Sequence, residues 1–490
     1  MLRALVTSFF APAAAIFGFV GGRGVTGSWL GAAAIGTVAA ALVVVWFRRP
    51  GNLRMEATSG SRLLEILSVV ATLVALVLLA RQAIFALDPS KVGSSFIPGS
   101  KWEVEHSCLT AYHVAAEASS TGSIYDNALY SMPDDDPTQP RKPRMLGPFT
   151  IDVFEYPPPF LLLPRALQGV TPDFTDLRML WFALSGLTLL LAIPVVASLL
   201  DPPQATRALL LSPLVWMAVP TLSVLQKGNV QLLVIAGSML AMVLFERRRW
   251  AEGGAILAFV TVSKLYPGLL VLFLLARRQW KALAWTAGLG AGFCLVTLAV
   301  FGWAPYAAFL DHLPRLLSGE AFPIFRTPAT VARNLSIPGL VFKFKLFGIE
   351  GFSFGASKIV GWAYTVVAAA AVILAALRPA RLADQPLVWL AILILATLRS
   401  PALPVAYAAL PAVWLLTLLG APWTRSAIGV LALLAGWLAL SVYWPIDWGL
   451  DPRWISLLMV VPQTGMVVVA VLALRRNPWP VSGRSAARVG

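Results

Sequence analysis

The stretch LLEILSVVATLVALVLLARQAIFAL, residues 63–87, admits few folds. Its apolar side chains keep to no single face, so one soluble core cannot take them. A run of about 20 such residues suffices to cross the roughly 30 Å hydrocarbon layer of a bilayer. Comparable runs recur at 4–20, 28–47, 174–200, 207–224, 229–246, 282–303, 356–378, 384–399, 404–420, 426–444 and 455–474. The chain is 58% hydrophobic and 12% charged, against roughly 25% charged in soluble domains. Backbone groups inside a bilayer must bond within their own segment, which leaves helices for such runs. The sequence therefore predicts an all-α polytopic membrane protein with about 12 transmembrane helices.

The net charge of +15 reads as membrane topology, not as nucleic-acid binding. Lys and Arg collect in short connections, the pattern of cytoplasmic loops. Such groups are Arg48 and Arg49, Arg247–Arg249, Arg277, Arg278 and Lys281, Arg378 and Arg381, and Arg475 and Arg476. Between 251 and 276 lies an apolar segment with arginines at both flanks and Lys264 and Pro267 at its middle. One straight span would put an arginine cluster on the wrong side. Two half-length helices meeting at SKLYP, a re-entrant hairpin, keep both flanks cytoplasmic. The two long polar stretches, 88–155 and 304–355, then share the extracytoplasmic side, and short interfacial helices are expected within them. The two cysteines, Cys108 and Cys294, lie on different kinds of segment, so no disulfide and no zinc spacing is expected.

The first long loop inverts the charge of the rest. It holds Glu103, Glu105, Asp126, Asp134–Asp136, Asp152 and Glu155, together with His106 and His113, while His312 opens the second loop. Titratable groups concentrated on one face are the material of acid–base chemistry, and a passive scaffold has no need of them. Lys264 is a separate signal: a lysine inside an apolar hairpin is costly unless paired or facing water. The run Asp134–Asp136 between prolines could offer oxygen ligands to a divalent cation, but a charge run of this kind is more often a solvated loop. No cofactor and no metal ligand set is assigned.

Several stretches occur in a telling order: AYHVAAEASSTGSIYD (111–126), FEYPPPFLLLP (154–164), QKGNVQLLVIAGSMLAMVLFERRR (226–249), VSKLYPGLLVLFLLARRQW (262–280) and ARNLSIPGLVFKF (332–344). Together they resemble the polyprenyl-phosphate-dependent glycosyltransferases of family 87, integral-membrane enzymes of the GT-C class that include mannosyl- and arabinofuranosyltransferases. The resemblance implies a GT-C-like catalytic core over 63–420. An N-terminal transmembrane hairpin and cytoplasmic loop (1–62) would precede it, and C-terminal helices with a cytoplasmic tail (421–490) would follow. Two positions depart from the family pattern. Ser107 and Cys108 stand where the family places an aspartate, and RSPALPVAY (399–407) lacks the family's histidine.

By that resemblance, a sugar moves with inversion from a polyprenyl-phosphate donor to a lipid or glycan acceptor, outside the plasma membrane. The base that takes the acceptor proton is expected at Glu105 or, second, at His106, the titratable groups nearest the vacant position. Asp126 is a third candidate, or simply a turn cap. Lys264, Arg165, Arg326 and Arg399 are candidates for the donor phosphate. Tyr156, Asn229, Gln231 and Asn334 are candidates for sugar or acceptor hydroxyls. A lipid or sugar transporter or flippase is the rival class, although it would favour paired broken helices in two halves. A catalytically inactive membrane scaffold is the third reading. The prolines Pro157–Pro159 are expected to lead the loop onto the membrane surface, with FLLLPRAL as a short interfacial helix that Pro164 ends or kinks.

Overall fold

A computed structural model describes residues 2–49, 55, 62–119, 124–131, 144–325, 327–378, 381–441 and 449–475. The aspartates Asp134–Asp136 and the arginine Arg326 lie outside the described residues. The N-terminal helices α1 (Leu2–Thr26) and α2 (Trp29–Arg48) fold back on each other at Gly27, whose φ of +61° suits glycine. Small residues let them approach closely: a Cβ on Gly36 would sit 2.8 Å from the Ala15 carbonyl oxygen. Helix α3 (Arg62–Leu87) follows and leads into the first long loop.

That loop is not purely helical. It carries α4 (Lys101–Glu105), strand β1 (His106–Ser107), α5 (Cys108–Ala118), β2 (Met145–Leu146) and β3 (Phe149–Ile151). The strands form a sheet of order β1-β3-β2, with β1 parallel to β3 and His106 opposite Thr150. The all-α expectation therefore needs a small three-stranded sheet added to it. The sheet exists because two loop segments far apart in sequence must bond their backbones to each other over the buried ends of the helices.

The proline run Pro157–Pro159 starts a 3-10 turn, Pro158–Leu161, that is buried. Helix α6 (Leu162–Val170) follows with Pro164 in its first turn, so that proline neither ends nor kinks it. A proline there forfeits no helical bond. Helix α7 (Phe174–Ala197) carries Phe17 of α1 against Gly186, where a Cβ would strike the phenyl ring. Helices α8 (Pro202–Trp216) and α9 (Val219–Lys227) form a pair bent by 57°, with Pro213 and Pro220 near the bend. Gly228, in the left-handed conformation, closes α9.

Helix α10 (Gln231–Glu246) is followed by α11 (Trp250–Ser263), α12 (Gly268–Ala276) and α13 (Trp280–Phe301). The segment 251–276 is broken at Lys264–Pro267, where the SKLYP reading puts the break. Helix α11 runs alongside α13 in the same direction: Gly254 lies against Trp285, and Phe259 against Phe293 with ring centroids 5.7 Å apart. The outer ends of α11 and α12 meet as well, since Trp250 and Arg277 line one cavity of about 510 Å³. These contacts are those of a hairpin with both feet at one end. Each foot is a tight turn with an arginine in the left-handed region, Arg248 (φ 59°) and Arg278 (φ 55°). Arg249 N–H donates to the Leu244 carbonyl at 2.9 Å, and Gln279 N–H to that of Leu274 at 3.0 Å, the same closure twice.

The second long loop carries α14 (Ala304–Ser318), α15 (Pro328–Arg333) and α16 (Leu340–Lys345). The chain ends in α17 (Phe354–Leu377), α18 (Gln385–Leu398), α19 (Val405–Ala408), α20 (Leu410–Gly420), α21 (Ala427–Ser441), α22 (Pro452–Leu458) and α23 (Val460–Arg475). One contiguous apolar core runs from Val6 to Ala473. Helices occupy all of the runs expected to span, but among the described residues 7 are long and apolar enough to cross, or 8 counting the bent α8–α9 pair. The others, α10, α18, α20 and α21, are shorter. At 1.5 Å per residue they reach about 24 Å or less, and α10 and α18 stop where the chain unwinds at 228–230 and 399–404 to line a cavity.

The hairpin predicts that reporters fused after Arg249 and after Arg278 show the same sidedness in whole cells. Opposite sidedness would make 251–276 a single span.

Candidate active site

Both long loops close over the inner ends of α10, α11, α12 and α18 to enclose a cavity of about 910 Å³. Its charged lining is Glu103, His106, Asp152, Glu155, Lys227, Lys264, Arg333 and Arg399, and its apolar lining includes Leu265, Leu269, Leu316, Phe322 and Ile324. Local sequence explains how each polar group arrives. Gly228 ends α9 and frees the following residues from helical form, so the QKGNVQ segment lays Lys227, Asn229 and Gln231 along the cavity. Gln226 ties this segment to the loop: its Nε2 donates to the Glu103 carbonyl at 2.7 Å, and its Oε1 accepts from Phe96 N–H at 3.0 Å.

Lys227 and Glu103 form an ion pair at 2.7 Å with both side chains almost fully enclosed. The ammonium also sits 5.8 Å from the Trp102 ring centroid and 5.6 Å from that of Tyr407, a cation–π setting that offsets part of its lost hydration. Lys264, at the apex of the α11–α12 hairpin, donates to Gln231 Oε1 at 2.9 Å and lies over the Tyr156 ring. Tyr156 receives a hydrogen-bonding neighbour in Tyr112, OH to OH at 3.0 Å.

The β1–β3 pairing carries the acid–base groups. Because His106 lies opposite Thr150, the residue just past β3, Asp152, arrives beside the imidazole. His106 Nε2 is 3.5 Å from Asp152 Oδ2 and 3.6 Å from Cys108 Sγ. Thr110 fixes the arrangement by donating to the Ser107 carbonyl at 2.6 Å and accepting from Asp152 N–H at 2.9 Å. His106 stacks under Trp102 with centroids 4.0 Å apart. Burial pushes its pKa down to about 4, against the pull of Asp152, so the ring is neutral at neutral pH. The second loop reaches the first through His312, whose Nε2 is 2.7 Å from Glu155 Oε2, with the Tyr125 ring stacked on the imidazole. Burial holds the Glu155 carboxyl above its ordinary range, and His312 draws it part of the way back.

Of the residues expected from sequence, His106, Lys264, Arg399, Tyr156, Asn229 and Gln231 converge on this cavity. Glu105 does not: it is on the outer side of α4, paired with Lys101 at 3.8 Å. Asp126 caps a 3-10 turn by accepting from Ala128 N–H at 2.8 Å. Arg165 is exposed on α6, away from the cavity. Asn334 is enclosed as a brace, accepting from the N–H groups of Leu403 at 2.9 Å and Ser336 at 3.1 Å. Gly339 completes that brace, since a Cβ there would overlap Asn334 and Ser336. The groups that sequence reasoning left out of the site are Asp152, Glu155, Glu103, Lys227, Arg333 and Tyr407.

Cations, a carboxylate–imidazole pair and an apolar wall suit an amphiphilic phosphate ester and a hydroxyl that must lose its proton. The family model of glycosyltransferase family 87 matches residues 154–403, half of the chain. The chain belongs to glycosyltransferase family 87. It is a membrane glycosyltransferase. No curated protein and no solved structure matches it. Within the family 87 match lie Lys227, Lys264, Arg333 and Arg399, whereas Glu103, His106, Cys108 and Asp152 come from the loop before it. The cations of this glycosyltransferase thus fall inside the matched range, and its carboxylate–imidazole pair falls before it.

Removing one partner of the Lys227–Glu103 pair strands a buried charge. Lys227→Met should destabilise the protein by about 3–5 kcal/mol, and Lys227→Met with Glu103→Leu should recover much of that loss. Thermal unfolding in detergent measures both. An unchanged midpoint for the single variant would mean the pair is hydrated.

Proposed function

We propose that this chain is an inverting glycosyltransferase of the plasma membrane with its active site on the extracytoplasmic side. It moves a mannose- or arabinofuranose-type sugar from a polyprenyl-phosphate donor to a hydroxyl of a lipid or glycan acceptor. The observation that carries this reading is the meeting of the His106–Asp152 pair with Lys264, Arg399 and an apolar wall in one cavity. The arginine turns stand at the far ends of α10, α11 and α12 from the cavity, which under the positive-inside rule supports an extracytoplasmic cavity.

Asp152 takes the role of base in this reading, in place of Glu105. Its Oδ1 accepts from Val153 N–H at 2.9 Å, while Oδ2 faces His106. The acceptor oxygen attacks the anomeric carbon from the face opposite the phosphate. As that bond forms, the carbon–oxygen bond to the phosphate breaks and its electron pair leaves with the lipid phosphate. The acceptor proton passes to Asp152 Oδ2. The transition state is oxocarbenium-like by analogy with glycoside hydrolysis. A phosphate needs no proton to leave but gains from fixed cations, and Lys264, Arg333 and Arg399 are the candidates. Arg399 donates to Thr365 and lies over Trp362, which holds its guanidinium in place. Tyr156, Asn229 and Gln231 offer hydrogen bonds to the sugar and acceptor.

Purified protein given polyprenyl-phosphate mannose or arabinofuranose and an acceptor should release polyprenyl phosphate. Asp152→Asn should lower transfer by roughly 10²- to 10⁴-fold while donor binding persists, because the amide keeps shape and loses basicity. Glu105→Gln should stay near the wild-type rate. Wild-type turnover in Asp152→Asn with loss in Glu105→Gln would reverse the assignment. Lys264→Met should slow transfer by roughly a hundredfold, the worth of about 2.7 kcal/mol of charge-assisted bonding. Undiminished turnover in that variant removes Lys264 from the phosphate site.

A further inference from the structure

Cys108 has no place in the transfer step, yet its surroundings are those of a built site. Its sulfur is buried on the first turn of α5 and faces the same cavity as His106 and Asp152. One ligand atom from each of His106, Cys108 and Asp152 lies within 4.8 Å of the other two. The edges can be compared with a metal polyhedron. Tetrahedral zinc with Zn–S near 2.3 Å and Zn–N or Zn–O near 2.0–2.1 Å sets S···N at about 3.6 Å and N···O at about 3.3 Å. The corresponding separations are 3.6 Å for Cys108 to His106 and 3.5 Å for His106 to Asp152.

The geometry points to a binding site for a soft divalent cation, Zn²⁺ by chemistry, held by His106, Cys108 and Asp152 with its fourth position open to the cavity. Sulfur and imidazole ligands select zinc over magnesium or calcium. The outer partners fit a thiolate: Asn229 Nδ2 donates to Cys108 Sγ at 3.2 Å, and the Tyr407 hydroxyl is 3.5 Å from it. Bonds to the ligand atoms from a surrounding shell orient metal sites in this way. The carboxylate is oriented too, since Asp152 Oδ1 is held by Val153 N–H and leaves Oδ2 for the cation. On binding, the Cys108 S–H bond breaks, its proton goes to water, and a sulfur–metal bond forms. Resting on the reading of Asp152 as base, a further consequence is that zinc and the acceptor proton compete for one oxygen.

The test reads metal binding alone, so its outcome is separate from whether the protein transfers sugar. Chelator-stripped full-length protein in detergent is titrated with Co²⁺, followed by displacement with Zn²⁺ and metal analysis. One equivalent should bind, with tetrahedral ligand-field bands and a thiolate-to-cobalt charge-transfer band. The band should persist in Cys294→Ser and vanish in Cys108→Ser. Asp152→Asn and His106→Gln should each weaken Zn²⁺ binding by roughly tenfold or more. A band kept in Cys108→Ser, its absence from wild-type protein, or unchanged affinity in both Asp152→Asn and His106→Gln overturns the site. Should Cys108→Ser fail to fold, the affinities of the other two variants decide.

Discussion

Backbone that leaves helical form inside a bilayer has no water to bond, and among the described residues of this glycosyltransferase three helix breaks border one cavity. They lie at 228–230, 264–267 and 399–404. Each is tolerable only because protein groups stand in for water. Asn334 and Ser336 bond the backbone of 401–403, Asn229 bonds the N–H of Gln231, and Tyr112 accepts from Val230 N–H at 3.2 Å. The same unwinding that demands these partners is what aims Lys227, Asn229, Gln231, Lys264 and Arg399 into one space. Asn229 repairs its own segment, whereas Asn334, Ser336 and Tyr112 reach in from the two loops.

The first loop completes the site from outside the helices. Two residues of parallel pairing between β1 and β3 bring Asp152 to His106, and Gln226 and Lys227 fasten the loop to α9 through Glu103. The His312–Glu155 contact fastens the second loop to the first.

Much of this was legible in the sequence. Apolar runs of span length gave the helices, and a lysine and proline between arginine flanks gave the hairpin, because bilayer thickness and charge sidedness act on any chain alike. Lys264, Asn229 and Gln231 stood out as polar residues in apolar surroundings. The placement of the acidic groups around His106 was not legible. Glu103 and Glu105 are two residues apart on α4, about 200° around a helix, so one is buried against Lys227 and the other faces Lys101. Nothing in the local composition says which. Asp152 comes beside His106 only through the β1–β3 register, and strands of two and three residues leave no periodic signal. Composition records how apolar a segment is, not where it unwinds, so the shortness of α10 and α18 at the cavity leaves no mark in it.

The hairpin has a consequence for what can vary along this chain. Its apex amine stands at the end of a 14-residue helix rooted in the Arg248 turn, about 21 Å from its foot. Helix α11 is therefore a ruler: one inserted or deleted residue shifts Lys264 by about 1.5 Å and swings it by about 100°. Gln231, on the neighbouring helix α10, would be left behind. Changes of side chain on the lipid-facing surface of the ruler are tolerable, whereas changes in its length are not, and the two arginine turns fix the zero of the scale.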